Sequence, residues 1–281
     1  MITLTILKTI KSKYNKHISQ KKNSIVFLIF FLIVSGSIIS FSTTRISNNH
    51  KFETDTTIVE RHGQLRVDGN KIVDKNNNPV SLRGMSLFWS QWMGRFYNYD
   101  CVQWLKDDWY CTVIRASMGV ESGGYLENPL TEKDKIVKVI DACIDLGIYV
   151  IVDWHDHNAQ NNQQEAIDFF KEIAEQYGNY PNLIYEIYNE PLQVSWTNVI
   201  KPYAEAVIDS IRKIDPDNII IVGTPTWSQD VDVASQSPLE YDNIAYALHF
   251  YAATHKQFLR NKATTALNNG IALFVSEFGT C

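Results

Sequence analysis

From Val80 onward the chain alternates between two apolar patterns. The first is a series of short runs dominated by β-branched, aromatic and leucine side chains: Val80–Phe88, Cys111–Met118, Tyr149–His155, Leu183–Glu190, Asn218–Pro225, Asn243–Tyr251 and Ile271–Gly279. These are too brief for helices and too apolar for surface loops, so they read as strands buried on both faces. The second pattern places apolar residues three and four apart. Thr131–Leu146 carries Ile136, Val137, Ile140, Cys143 and Ile144 on one stripe, and Gly147 ends it. Ala166–Tyr177, Thr197–Ile214 and His255–Asn269 repeat the pattern, and Cys101–Tyr110 predicts a shorter helix.

Strands of this kind alternating with one-sided helices predict a parallel sheet covered by helices. No G-x-G-x-x-G or G-x-x-x-x-G-K loop follows an early strand, which argues against an open nucleotide-binding sheet. The expected fold is a (β/α)8 TIM barrel of the α/β class with seven strands visible. The chain stops at Cys281, so the eighth strand is missing and a fragment is expected. Ahead of the barrel, Gln64–Val67 and Lys71–Val73 bracket Asp68-Gly69-Asn70, which predicts a small β-hairpin covering one end of the domain.

The first 60 residues differ from the rest. Six lysines between Lys8 and Lys22 precede an apolar stretch at residues 25–41, the pattern of a signal peptide or signal-anchor over residues 1–44, followed by a linker over 45–60. Residues 61–281 are then an exported domain, secreted or held outside the cell by 25–41 if uncleaved. That domain has 18 basic and 28 acidic side chains, a balance of −10, which disfavours nucleic acid but not a neutral polysaccharide. A monomer is expected. The cysteines are too few and too irregularly spaced for a zinc cluster. They read as small core thiols, with a Cys111–Cys143 disulfide as the alternative in an oxidising compartment.

Ionisable and polar residues recur at the carboxyl ends of the predicted strands: Arg115, Asp153, His155, Asn189, Glu190, His249, Tyr251 and Glu277. In a barrel these ends meet on one face. Two carboxylates facing each other there suit glycosidic hydrolysis, where one donates a proton to the leaving oxygen and the other attacks the anomeric carbon. Glu186 lies four residues before Glu190, roughly 13 Å deeper along an extended strand. It reads as a buried carboxylate paired with a base, with Arg83 as the candidate. Asp153, His155, Asp156 and His157 are close in sequence but lack the i, i+4 spacing of a helical zinc site, so no metal or cofactor is expected.

The motifs Asn189-Glu190-Pro191, Ser276-Glu277-Phe278-Gly279, Asp153-Trp154-His155 and His249-Phe250-Tyr251 resemble glycoside hydrolase family 5, in particular its subfamily 2 endo-β-1,4-glucanases. Gly84–Ser90, Val113–Ala116 and Gly223–Asp230 extend the likeness from about Arg61 to the end of the chain. The resemblance implies a retaining mechanism on β-1,4-linked glucan, with Glu190 as acid/base and Glu277 as nucleophile. It further implies that Asn189 bonds the sugar 2-hydroxyl, that Arg115 and Tyr251 hold Glu277, and that His155 and His249 line the sugar subsite and the acid/base. Trp92 and Trp227 match positions where sugar rings stack, whereas Trp104 and Trp109 read as core. The family's eighth-strand tryptophan falls past the end of this sequence. Mannan, xylan or mixed-linkage glucan are alternative substrates, and a catalytically dead glycan-binding protein is the alternative if the barrel never closes.

Overall fold

The computed structural model describes residues 56–280. The expected targeting segment 1–44, its apolar stretch 25–41, linker residues 45–55 and Cys281 lie outside the described residues. Among those described, no helix is long and apolar enough to cross a membrane.

Helix α1 (Ile58–His62) is held by a reciprocal cap, in which the Thr57 hydroxyl accepts from the Glu60 N–H and the Glu60 carboxylate accepts from the Thr57 N–H. The predicted hairpin follows as β1 (Arg66–Asp68) and β2 (Lys71–Val73), antiparallel, with Gly69 supplying the positive φ its turn needs. The strands after it are β3 (Gly84–Ser86), β4 (Val113–Gly119), β5 (Tyr149–His155), β6 (Leu183–Glu186), β7 (Ile220–Val222), β8 (Ile244–Ala247), β9 (Phe250–Tyr251), β10 (Ala272–Phe274) and β11 (Phe278–Gly279). Seven of them form one parallel sheet in the order β10-β8-β7-β6-β5-β4-β3. Beyond β8 and β10, the short β9 and β11 pair in parallel with each other. These are the seven predicted barrel strands. Edge strands β3 and β10 line a slot of about 670 Å³ that reaches Arg115 and Glu277.

Several strands are shorter than the apolar runs suggest. Val80 still belongs to the hairpin, its N–H donating to the Ile72 carbonyl, so regular pairing with β4 starts only at Gly84. A Cβ at Gly84 would collide with the Val113 carbonyl, and this close approach explains the glycine. In the fourth barrel strand the ladder ends at Glu186. Asn189 and Glu190 instead donate their N–H groups to the Trp154 and Asp156 carbonyls, at 3.3 and 3.4 Å, which ties the end of this run to the end of β5.

The covering helices are α2 (Tyr99–Trp109), α3 (Pro129–Asp145), α4 (Gln163–Tyr177), α5 (Lys201–Arg212) and α6 (Gln257–Asn268). In α4 the predicted stripe of Ala166, Phe169, Phe170, Ile173, Ala174 and Tyr177 is buried, each large side chain contributing about 1.5–3 kcal/mol. In α2 only Val102 and Leu105 are buried. Trp104 and Trp109 are not core residues: they lie outside that pair, 49% and 54% exposed, packed edge-on against each other. Cys101, Cys111 and Cys143 are free thiols, so the alternative Cys111–Cys143 bridge is not formed.

Alternation along the strands sorts side chains between two apolar clusters. Ile114, Val150, Val152 and Tyr185 face the helices. Val113, Ile151, Ile184, Ile221, Ala245 and Ala272 form an apolar floor inside the curled sheet. Hydrogen bonds from Val67 to Asn243 and from Gln64 to Asn218, residues just before β8 and β7, fasten the hairpin region below that floor. Above it, the same inward-facing positions turn polar, as Arg115, Asp153 and Glu186.

Candidate active site

Arg115 organises the polar layer. It projects from β4, is 2% exposed, and its guanidinium divides its donors among three carboxylates. Nε meets Glu186 at 2.6 Å, Nη1 meets Glu277 at 2.9 Å, and Nη2 meets Asp153 at 2.9 Å and the Asn189 side-chain oxygen at 2.7 Å. Burial alone would lower its pKa, but Asp153, Glu186 and Glu277 raise it, so the guanidinium stays charged. The expected Arg83–Glu186 pair is therefore corrected. Ser86 is opposite Arg115 in the β3–β4 register and its hydroxyl oxygen accepts from Arg115 Nη1, whereas Arg83 has the opposite parity and is exposed.

The two candidate catalytic carboxylates occupy different surroundings. Glu277 follows β10 and is held by Arg115 and by the Tyr251 hydroxyl, which donates to Oε1 at 3.1 Å. Partial burial pushes its carboxyl up, but Arg115, His249 and the Tyr251 hydrogen bond outweigh that and lower it, favouring the ionised form. Glu190, just beyond β6, presents Oε1 to His249 Nδ1 at 3.1 Å. An oxygen of each carboxylate and a ring nitrogen of His249 lie within 4.8 Å of one another.

The histidines play unlike parts. Burial and the Arg115 charge lower His155 to about 3, so it is neutral. Its Nδ1–H then donates to Asp153 Oδ2 at 2.6 Å, leaving Nε2 as a lone-pair acceptor for a hydroxyl donor. For His249 burial also pulls downward, but hydrogen bonds to Glu186 and Glu190 dominate and raise it to about 9. Its Nε2 meets the Ser276 hydroxyl at 2.9 Å.

A cleft of about 330 Å³ brings together Trp89, His155, His157, Glu190, Tyr251 and Glu277. Trp89 stands edge-on to His155, with ring centroids 4.3 Å apart, and stacks on Trp92 at 5.0 Å. Trp92 is 53% exposed, so it extends the aromatic surface outward rather than lining the cleft. Trp227 is reached differently. Thr226, Trp227 and Ser228 all have φ near +55° to +58°, a strained turn after β7. Thr226 and Trp227 donate N–H groups to the Leu192 and Pro191 carbonyls, and Ser228 bridges the Asn189 and His249 backbones. The turn thus props Asn189 and His249 and leaves the Trp227 indole 40% exposed beside the segment that follows Glu190.

The predicted strand-end residues are therefore linked through one hydrogen-bonded layer, and the two predicted stacking indoles, Trp92 and Trp227, lie outside it. Sequence reasoning missed Trp89, Ser276 and the reach of Glu186. Trp89 was legible as part of an aromatic run after β3, but Ser276 carries no charge and finds its partner Glu186 90 residues away. After β5, Asp156 accepts from Asn158 and Asn162, and His157 Nδ1 meets the Glu190 carbonyl oxygen at 3.1 Å.

Two carboxylates this close at the carboxyl ends of a parallel α/β sheet are an arrangement that can serve glycosidic hydrolysis. Residues 73–281 match the model of cellulase, glycosyl hydrolase family 5. The chain belongs to that family. It is 61% identical over 220 residues to Endoglucanase Z of Dickeya dadantii, covering 77% of this chain and 51% of that protein. A solved structure from Cytophaga hutchinsonii is 61% identical, with TM-score 0.80, over 80% of this chain and 74% of that one. The catalytic domain of Thermobifida fusca endoglucanase Cel5A in complex with cellotetraose is 40% identical, with TM-score 0.76, over 80% of this chain and 76% of that one. The chain spans about half the length of the curated relatives it matches.

Proposed function

We propose that the protein is a retaining endo-β-1,4-glucanase that cleaves internal bonds of cellulose or related β-glucans by double displacement. The observation that carries this reading is the approach of Glu190 and Glu277, which bring one carboxylate oxygen each to within 4.8 Å of the other. Carboxyl groups about 5–5.5 Å apart suit direct attack on the anomeric carbon, whereas inversion needs about 6.5–9.5 Å to admit a water.

In the first half-reaction a Glu277 oxygen bonds to the anomeric carbon while Glu190 passes a proton to the departing glycosidic oxygen. In the second, Glu190 takes a proton from water, whose oxygen displaces Glu277 from the sugar. Arg115 and Tyr251 keep Glu277 ionised and aimed, Asn189 bonds the 2-hydroxyl, and His155 accepts from a sugar hydroxyl. Trp89, Trp92 and Trp227 offer ring faces to neighbouring glucose units. The cellotetraose complex of the Thermobifida fusca relative supports the substrate class. We extend the proposal to export under residues 1–44 and to action as a monomer, which amino-terminal sequencing of the mature protein and sedimentation check.

Incubation with a 2-deoxy-2-fluoro cellobioside bearing a good leaving group should add one fluorinated cellobiosyl mass to the peptide containing Glu277. An unlabelled protein that still releases reducing ends from cellulose would exclude a retaining mechanism at this residue.

A further inference from the structure

Glu186 is fully buried and four residues below Glu190, yet both carboxylates converge on one imidazole. Glu190 Oε1 meets His249 Nδ1 at 3.1 Å. On the other side, His249 Nε2 is 2.9 Å from Ser276 Oγ, and Ser276 Oγ is 2.6 Å from Glu186 Oε1. Proton placement along this line follows from valence. Glu186 Oε2 already accepts from Arg115 Nε, and burial, which would raise Glu186, is outweighed by Arg115 and His249, so the carboxylate is ionised and can only accept. The Ser276 hydrogen must then point at Glu186. Its oxygen is left to accept, so His249 Nε2 must carry a hydrogen.

We propose that Ser276 and Glu186 are positioning residues that hold His249 as the Nε2–H form and thereby assign its Nδ1 to share one proton with Glu190. This rests on the glucanase reading of the site. In the first half-reaction the shared proton leaves through Glu190 Oε1 to the glycosidic oxygen as the C–O bond breaks and Glu277 bonds to carbon. In the second half-reaction the pair regains one proton from water as its oxygen replaces Glu277. No other donor or acceptor is consumed.

The groups facing His249 are consistent with a proton held on this pair. Glu186 and Glu190 approach from the β6 segment, and Glu277 follows Ser276 beyond β10. Asp153 on β5 adds a further acid, and Arg115 on β4 completes the charged surroundings. Arg115 opposes protonation of His249, but its donors are taken up by Glu186, Glu277 and Asp153.

The test uses the full chain labelled with ¹⁵N-histidine, with His249 assigned by comparison with His249→Gln. At neutral pH the His249 Nε2 signal should be that of a protonated nitrogen. Ser276→Ala should move the His249 titration to lower pH by roughly one unit, and Ser276→Thr, which keeps the hydroxyl, should restore it. The alkaline limb of kcat/KM on a soluble β-glucan should move with the titration, kcat falling more than KM changes. An Nε2 without a proton in the wild type, or an unmoved titration and limb in folded Ser276→Ala, overturns the proposal. The nitrogen signals report on the relay even if the protein turns over no glucan, so failure of the glucanase reading is seen separately.

Discussion

Arg115 Nε meets Glu186 Oε2 at 2.6 Å between two strands that are not neighbours, with almost no solvent on either side. Removing one member of such a pair leaves a buried charge without compensation. Arg115→Met should destabilise the fold by about 3–5 kcal/mol, since Glu186 and Asp153 both lose their cation. Guanidinium unfolding measures it. A loss below about 1 kcal/mol would mean that the layer neutralises itself by taking up protons.

His249 gives stability a pH dependence of definite sign. Its folded value of about 9 lies above its ordinary 6.5, so the folded protein retains a proton that the unfolded chain releases. The contribution is complete below pH 6.5 and is lost as pH rises through 9. The melting temperature of the wild type should therefore fall over this window relative to that of His249→Gln, and parallel curves would refute the assignment.

The two carboxylates should separate by leaving group. Glu190→Ala should lower kcat on cellulose by about 10²–10⁴-fold, yet largely spare kcat/KM, which reports the first half-reaction, on an aryl cellobioside whose phenolate departs without a proton. Glu277→Ala should be inactive on both substrates. Identical losses for the two variants on the aryl substrate would reverse or void the roles.

Trp89 holds His155 edge-on and lines the cleft. Aromatic contacts of this type contribute about 0.5–1.5 kcal/mol, so Trp89→Ala should lower kcat/KM by up to about tenfold, while the more exposed Trp92→Ala should mainly raise KM on longer oligosaccharides. Steady-state kinetics on a ladder of cello-oligosaccharides distinguishes them.

The barrel strands were legible because burial on both faces leaves a sequence apolar at nearly every position, as in Tyr149–Val152. The placement of Glu190 and Glu277 at strand ends was legible because each closes such a run beside a second polar residue. The partner of Glu186 was not, since choosing between Arg83 and Arg115 requires knowing which alternate positions face inward, and the break at Gly84 obscures that parity. Trp104 and Trp109 misled for a related reason: large apolar side chains near a helix suggest core, but only the register of Val102 and Leu105 shows which face is covered. Ser276 was silent because a hydroxyl acquires meaning only from its neighbours in space.

The interior changes character with height, from Val113, Ile184 and Ala245 below to Arg115, Glu186 and His249 above. Inherited variation should therefore sort by altitude. Substitutions in the floor trade in melting temperature alone and can drift together as long as volume is kept, whereas those one layer higher alter turnover and stability at once. A lineage adapting to heat has the lower storey free to rebuild, while one adapting to a new glycan must rework the rim above both.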